Sequence, residues 1–274
     1  GYIVCFPTTE MNFLPNHEEF GQDLKFVSSK MIELENENSS IFFNSVIPKS
    51  AIMGHSMGGG ASFLSSADNS SSIITLINFA AAETSPSAIS AALDVNIPTL
   101  IFAGEEDCVT PPTSNQMPMY DATNTSCKTF ININNGGHCY FANENFACDF
   151  GESSCSSGLN ISREEQQNIT FDFLNLWLDY TLYNDEYAFA EFNDSLETCR
   201  DSTKAFAPET TIIWFSTMSS KTLMKAIDYT NNKYGRHAIT IANAGISKGW
   251  KMRRQHSSGI DTASFSYLPK VSAS

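Results

Sequence analysis

Basic residues and long apolar runs are both scarce in this chain. Its 274 residues include 16 lysines and arginines against 30 aspartates and glutamates, which gives a formal net charge of −14 at pH 7. Phosphate contacts need clustered cations, so this balance argues against nucleic acid as a partner. Since no run of about 18 apolar residues occurs, the sequence predicts a soluble protein without a membrane span.

Two kinds of site are excluded by missing motifs. The cysteines do not form the paired C-x-x-C halves of a structural zinc site. No lysine follows the glycine-rich stretch 54–60, as a phosphate-binding P-loop requires, and no G-x-G-x-x-G spacing is present. We therefore predict neither a metal nor a cofactor.

Cysteine itself is abundant. Five of the seven cysteines crowd into one stretch of the sequence: Cys108, Cys127, Cys139, Cys148 and Cys155. In a chain with few charges and many serines and asparagines, this usage favours disulfides in an oxidising compartment. We therefore predict a secreted protein, and the odd count leaves at least one thiol free.

Alternating apolar patterns predict the fold class. Apolar residues at spacings of four and three predict a helix over 20–34, and a capping box of Ser162 and Glu165 opens another. Short apolar runs predict four strands: 51–53, 73–79, 99–103 and 128–133. Strands that alternate with helices predict an α/β fold, with a mostly parallel sheet flanked by helices.

Both ends of the chain differ from this pattern. Tyr2–Phe6 has the composition of a buried strand with no methionine before it, so we expect that the first strands of the sheet are missing. Beyond Pro208 lie nine of the 16 basic residues, and a basic run is usually a solvated face. We predict an α/β domain over 1–207, incomplete at its N-terminus, and a C-terminal extension over 208–274, partly disordered or foreign to the fold.

The pattern G-x-S-x-G centred on Ser56 follows an apolar run and precedes a helix of small residues, the context of a nucleophile elbow. Such a serine has strained backbone geometry, and we expect any side chain at Gly54 or Gly58 to collide with the neighbouring strand or helix. The alternative is a glycine-rich loop that only packs a helix closely. The context favours Ser56 as a nucleophile.

Chain order selects a base for this serine. In enzymes whose nucleophilic serine lies on such an elbow, the order along the chain is the serine, then an aspartate or glutamate, then the histidine. Four of the five histidines precede the serine, adjoin it or fall in the basic tail: His17, His55, His237 and His256. His138 remains, after the flexible loop 134–137, which can bring an imidazole over the sheet edge.

The acid is expected directly after the predicted strand 99–103, which is the strand before the one that leads to His138. That strand runs into three consecutive candidates, Glu105, Glu106 and Asp107, followed by two prolines that fix the next turn. We predict Asp107 as the acid, with Glu106 as the alternative, and expect Glu105 to be solvated. The loops of acid and base must then converge, so the cysteines that follow them are candidates for a disulfide, while the sequence leaves the connectivity open.

Cys108 and Cys139 are these two cysteines, and a bridge between them requires Cα atoms within about 7 Å. Cys148 and Cys155 enclose a short stretch and are the candidates for a second, separate bridge. The pairing of Cys108 with Cys127 is an alternative, because Cys127 immediately precedes the strand that leads to His138.

The stretches 54–60, 97–107 and 135–138 resemble those of bacterial cutinases and the related polyethylene terephthalate (PET) hydrolases, and the similarity runs from about residue 1 to 183. The resemblance implies an α/β-hydrolase fold with Ser56 as nucleophile, His138 as base and Asp107 as its orienter. It further implies the backbone N–H of Met57 as an oxyanion-hole donor and His55 as a residue lining the acyl site.

Three departures from that family stand out. The family's second oxyanion donor falls upstream of Gly1. Its aromatic clamp has no counterpart near 79–83, where Ala80, Ala81 and Ala82 stand instead. Gly104 and Tyr140 occupy the positions of a family disulfide, although Cys108 and Cys139 lie close by.

Together these features predict a secreted serine carboxylic-ester hydrolase of cutinase or polyester-hydrolase type, working through an acyl-enzyme on small or polymeric esters. We expect a monomer. The alternatives are a lipase, a thioesterase, a dienelactone hydrolase-like enzyme, or a catalytically impaired fragment.

Overall fold

A computed structural model describes residues 2–7, 16–68, 70, 72–198, 202–206 and 210–215. Its strands are β1 Ser50–His55, β2 Ile73–Phe79, β3 Thr99–Gly104, β4 Lys128–Ile133, β5 Ser202–Phe206 and β6 Thr210–Phe215. They form one sheet in the order β1-β2-β3-β4-β6-β5. All neighbouring pairs are parallel except β5 with β6.

The helices are α1 His17–Glu35, α2 Met57–Ser66, α3 Ala88–Ala92, α4 Gln116–Ala122, α5 Phe146–Ser153, α6 Arg163–Tyr183 and α7 Glu186–Thr198, with a 3₁₀ turn at Cys139–Phe141. The predicted α/β class is therefore confirmed, and the four predicted strands correspond to β1–β4. The predicted cap at Ser162 accepts the N–H of Glu165 at 3.1 Å. None of the described helices is long and apolar enough to cross a membrane.

Helices cover both faces of the sheet. Phe63 from α2 and Met119 from α4 belong to a buried cluster with Leu76 of β2. Thr75, the preceding residue, points to the opposite face because side chains alternate along a strand. There its hydroxyl accepts a 2.8 Å hydrogen bond from Trp177 Nε1 of α6. The helices α2 and α4 therefore lie on one face and α6 on the other.

The N-terminal segment corrects one prediction. Tyr2–Phe6, expected to be a buried strand, pairs with no strand in the described part of the chain. Tyr2 instead donates from its hydroxyl to Asp179 of α6, and Phe6 is 81% exposed. A strand forms only where a neighbour completes its hydrogen-bond ladder, so an apolar composition alone did not make one here.

The C-terminal region extends the sheet past the predicted boundary at residue 207, because β6 pairs with β4. The chain divides into the units Gly1–Ser219 and Ser220–Ser274. Residues 216–274 lie outside the described residues, so the extension predicted there stays a prediction.

A carboxylate on α6 gives a prediction for stability. Asp172 is half-buried, and its Oδ2 has no hydrogen-bond partner among the described residues. Burial raises the pKa of Asp172 from 3.8 to about 7. Between these pH values the folded state binds more protons than the unfolded state. The stability that protonated Asp172 contributes is therefore lost as the pH rises.

Asp172→Asn should therefore increase the free energy of unfolding at a pH above 7 and change it little near pH 4. The reason is that the neutral amide removes the cost of a buried charge. Urea unfolding at both pH values measures the effect. A gain of equal size at both pH values would contradict the assignment to ionisation.

Candidate active site

Ser56 sits on a sharp turn between β1 and α2. Its φ of 56° and ψ of −123° lie in a region that non-glycine residues rarely adopt. A Cβ at Gly54 would come within 3.0 Å of the backbone of Gly58. The predicted need for glycine is thus correct at Gly54. At Gly58 it is wrong, because a Cβ there meets nothing within 4 Å.

The reason for this difference is geometric. The backbone of Gly58 is the obstacle that a side chain at Gly54 would strike, whereas the missing side chain of Gly58 would point into open space. The tight approach at the turn therefore constrains one glycine of the pair. A Cβ at the next residue, Gly59, would come within 3.0 Å of Ala81, so a second close approach lies one residue further on.

The structure brings the three predicted catalytic side chains together in one chain of hydrogen bonds. Ser56 Oγ lies 3.0 Å from His138 Nε2, and His138 Nδ1 lies 2.8 Å from Asp107 Oδ2. Asp107 and His138 are both buried. Glu106, the alternative acid, is exposed. Glu105 is also exposed, and its carboxylate accepts the N–H of Asn135 at 3.0 Å.

Four donors surround the Asp107 carboxylate. Oδ1 accepts the backbone N–H groups of Val109 at 2.9 Å and Thr110 at 2.7 Å. Oδ2 accepts His138 Nδ1–H and, at 2.8 Å, the Thr110 hydroxyl. A carboxylate has about four lone-pair positions, so each of them has a donor and the side chain cannot rotate without losing hydrogen bonds.

Thr110 is a residue that the sequence analysis missed. Its Oγ1 also lies 2.9 Å from His138 Nδ1, and Gln116 Nε2 donates to the same oxygen at 3.2 Å. An aspartate whose side chain caps the N–H groups two and three residues later is a common turn. That local signal could have located Thr110 beside the acid, but not beside the base.

The acid loop and the base loop meet backbone to backbone, as predicted. Glu106 N–H donates to Gly136 O at 2.9 Å. A Cβ at Gly104 would come within 3.0 Å of the backbone of Gly136, so a larger residue at the end of β3 would push the two loops apart.

His55 lies directly against His138. Its Nε2 is 3.0 Å from the carbonyl oxygen of His138, and the two ring centroids are 4.7 Å apart. Burial, and secondarily the nearby His138, lower the pKa of His55 to about 4. The neutral imidazole therefore donates its Nε2–H to that carbonyl at neutral pH.

A shallow cavity opens beside the serine. It has a volume of about 280 Å³, and its lining includes His55, Ser56 and Met57 together with the apolar Phe20 and Leu24 of α1. Met57 is the first residue of α2, and the first N–H groups of a helix have no partner within it. The positive end of the helix dipole also lies there, which favours a developing negative charge.

No group of three histidine, cysteine, aspartate or glutamate side chains in the described residues is arranged to hold a metal ion. The arrangement of Ser56, His138 and Asp107 can instead activate a hydroxyl for attack, without a metal.

Comparison with protein-family models bears on this site. The model described as PET hydrolase-like matches residues 17–155, which are 139 of the 274 residues and contain Ser56, Asp107 and His138. The chain belongs to the PET hydrolase-like family. A hydrolase acting on ester substrates is the activity that this membership supports. A second model, a domain of unknown function (DUF4113), matches residues 221–271, and a search of curated proteins found no match.

The disulfides of this PET hydrolase-like chain differ from every predicted pairing. Cys108 is bonded to Cys155 and Cys139 to Cys148, each with Cα atoms 5.8 Å apart. Cys127 is a free thiol. The candidate pairs of Cys108 with Cys139, Cys148 with Cys155 and Cys108 with Cys127 are therefore wrong, although the prediction of disulfides and of a free thiol is correct.

The cause is helix α5, which the sequence analysis did not predict. Cys148 lies in α5 and Cys155 lies two residues beyond its end, and seven residues of helix span about 10 Å. That distance is too long for a bridge between them. Each instead reaches across to the loop after Asp107 or the loop after His138, so α5 is covalently attached to both of these loops.

Loop length predicts unequal contributions from the two bridges. The chain-entropy relation gives about 4 kcal/mol for the 47-residue separation of Cys108–Cys155 and about 2.6 kcal/mol for the nine-residue separation of Cys139–Cys148. Urea unfolding of the two paired Cys→Ser variants checks this. If removal of the Cys139–Cys148 bridge lowered the free energy of unfolding more than removal of the Cys108–Cys155 bridge, strain or packing, and not loop closure, would govern the effect of the bridges.

Proposed function

We propose that this chain is a secreted serine carboxylic-ester hydrolase whose catalytic residues lie in the domain predicted over 1–207. In this proposal Ser56 is the nucleophile, His138 the general base and Asp107 the residue that orients the base. The observation that carries it is the unbroken series of hydrogen bonds from Ser56 Oγ through the imidazole to the buried carboxylate.

The reaction follows from the positions of the protons. As Ser56 Oγ attacks the ester carbonyl carbon, its proton passes to His138 Nε2, and the imidazolium keeps its Nδ1–H on Asp107. The same proton then goes to the departing alcohol, which leaves an acyl-serine. Water, deprotonated by His138, attacks the acyl-serine; the bond to Ser56 Oγ then breaks, this oxygen takes the proton back from His138 Nε2, and the carboxylic acid is released.

The oxyanion that forms at each attack needs donors. The proposal assigns one of them to the N–H of Met57, at the start of α2, where the helix dipole favours negative charge. Loss of one such donor typically costs about 10²- to 10³-fold in rate.

The cavity supports an apolar, uncharged acyl group. Phe20, Leu24 and the neutral ring of His55 form part of its lining. Its volume of about 280 Å³ is close to the lower end of small-molecule sites, which begin near 300 Å³, so only part of a bulky ester would be enclosed. We propose that the enzyme acts as a monomer on esters of this kind.

Secretion is supported by the two disulfides, since such bonds persist mainly in oxidising compartments. Mass mapping under non-reducing conditions of the protein isolated from its natural host tests this part. Recovery of Cys108 and Cys139 as free thiols would contradict it.

The central test uses a fluorophosphonate probe and a matched set of ester, thioester and amide substrates with one acyl group. We expect the probe to label Ser56 and the ester to be turned over fastest. A folded protein that the probe does not label would indicate a catalytically impaired chain. A preference for the thioester would instead indicate a thioesterase.

A further inference from the structure

We propose that Glu152 of α5 is a positioning residue for the base, holding the backbone that carries the His138 imidazole. This inference rests on the proposed function, in which His138 moves the proton of Ser56. Glu152 touches neither the substrate cavity nor the imidazole nitrogens, and it acts through the peptide groups on either side of the His138 side chain.

The contacts of the carboxylate are specific. One oxygen of Glu152 accepts the N–H of His138, and the other accepts the N–H of Cys139 at 3.2 Å. The residue is buried, with 4% of its surface exposed. Two consecutive N–H groups that donate to one carboxylate fix both the position and the tilt of the His138 backbone between them, as a bidentate contact does.

The base loop is shaped to receive this side chain. A Cβ at Gly137 would come within 3.0 Å of Glu152 Oε1, so a larger residue there would displace the carboxylate. Gly137 in turn exchanges two hydrogen bonds with the side chain of Gln166, each 2.9 Å long. The segment before His138 is thus held from α6, and the segment at and after it is held from α5.

Helix α5 is anchored firmly enough to act as a support. Cys148 and Cys155 bond it to the residues that follow His138 and Asp107. Arg163 joins the same parts, because its guanidinium donates to Cys139 O and to Asp149 Oδ1 of α5. The support of the base is therefore covalently connected to the loop of the acid that the base must meet.

A glutamine cannot replace this carboxylate. Its amide offers one oxygen and directs an N–H₂ group at the second backbone N–H, so one buried donor loses its acceptor. The base loop should shift in response. Displacements of about 1 Å at a catalytic group can lower the rate about 10²-fold.

The test compares Glu152→Gln with Glu144→Gln. Glu144 is exposed and lies within the same disulfide-closed loop, so its variant makes the same change of charge without touching the base. Active sites are counted by fluorophosphonate titration, and kcat is expressed per active site. We expect Glu152→Gln to lower kcat about 10- to 100-fold with KM nearly unchanged, and Glu144→Gln to match the wild type. An effect on thermal stability or on the number of active sites alone, with kcat per site unchanged, overturns the proposal.

A readout without substrate separates this inference from the proposed function. The downfield proton resonance of the His138–Asp107 hydrogen bond, assigned by its shift or loss in Asp107→Ala, should broaden or move in Glu152→Gln and stay unchanged in Glu144→Gln. If the wild type hydrolyses no ester, the proposed function fails while this measurement still tests Glu152. An unchanged resonance in Glu152→Gln counts against the positioning role.

Hydrogen exchange in the wild type covers the case in which Glu152→Gln does not fold. The amides of His138 and Cys139 should exchange slowly relative to the amide of exposed Asn143 in the same loop. Equal, fast exchange of all three would mean that the carboxylate does not hold this backbone.

Discussion

Replacing Ser56 by alanine is expected to lower kcat for ester hydrolysis about 10⁶-fold, the scale seen when a triad loses its nucleophile. Alanine has no oxygen to attack the carbonyl, and His138 then has no proton to accept at Nε2. The fold should survive, because alanine is smaller than serine and introduces no new contact at the turn. Initial rates with a soluble ester, together with thermal unfolding of both proteins, measure the two effects separately.

Ser65→Ala is the matched control. Ser65 lies on α2, the helix that starts after Ser56, and its buried hydroxyl has no hydrogen-bond partner among the described residues. The variant makes the same chemical change without touching the hydrogen-bond series, so its kcat should stay near that of the wild type. Undiminished turnover by folded Ser56→Ala protein would remove Ser56 from the role of nucleophile.

Much of the site could be predicted because its signals are local. The strands β1–β4 are apolar runs with clear ends, and parallel strands place their carboxyl ends at one edge of the sheet. Ser56, Asp107 and His138 each follow such a strand. Their positions along the chain were therefore enough to predict that the three side chains meet at one edge of the sheet. Nothing in that reasoning required knowledge of distant contacts.

Helix α5 could not be predicted in this way. Phe146 and Phe150 stack on each other with 86% and 65% of their surfaces exposed, which is the reverse of the pattern that identifies a helix by its buried stripe. The helix is held by disulfides and by Arg163 instead of by apolar burial. Disulfide partners depend on which segments meet in space, so spacing along the chain predicted the wrong pairs.

The polar residues around Ser56, His138 and Asp107 were missed for a related reason. Thr110 and Glu152 are ordinary residue types, and in a sequence a glutamate indicates a solvated surface. Their importance arises from contacts over long separations, since Thr110 meets His138 across 28 residues and Glu152 meets it across 14. Local propensities predict the element that carries a side chain, but not the group that it meets.

Asp107→Asn is expected to lower kcat about 10⁴-fold, a typical loss when the orienting acid of a triad becomes an amide. The contacts of Asp107 determine how the new amide must turn. Its Oδ1 accepts the N–H groups of Val109 and Thr110, so the asparagine keeps its oxygen there and places its NH₂ group at the position of Oδ2. That group then donates to His138 Nδ1, which selects the tautomer protonated at Nε2, and Nε2 can no longer accept the proton of Ser56.

The same geometry makes Asp107→Ala the informative comparison. Without a side chain at this position, the Thr110 hydroxyl, 2.9 Å from His138 Nδ1, remains as an acceptor for Nδ1–H and preserves the productive tautomer. We therefore expect Asp107→Ala to retain at least as much activity as Asp107→Asn, although it removes more of the residue. Glu106→Gln, at the exposed neighbour, serves as the control and should leave kcat unchanged. If Glu106→Gln instead produces the large loss and Asp107→Asn does not, Glu106 is the acid and the hydrogen bond between Asp107 and His138 is not part of the catalytic arrangement.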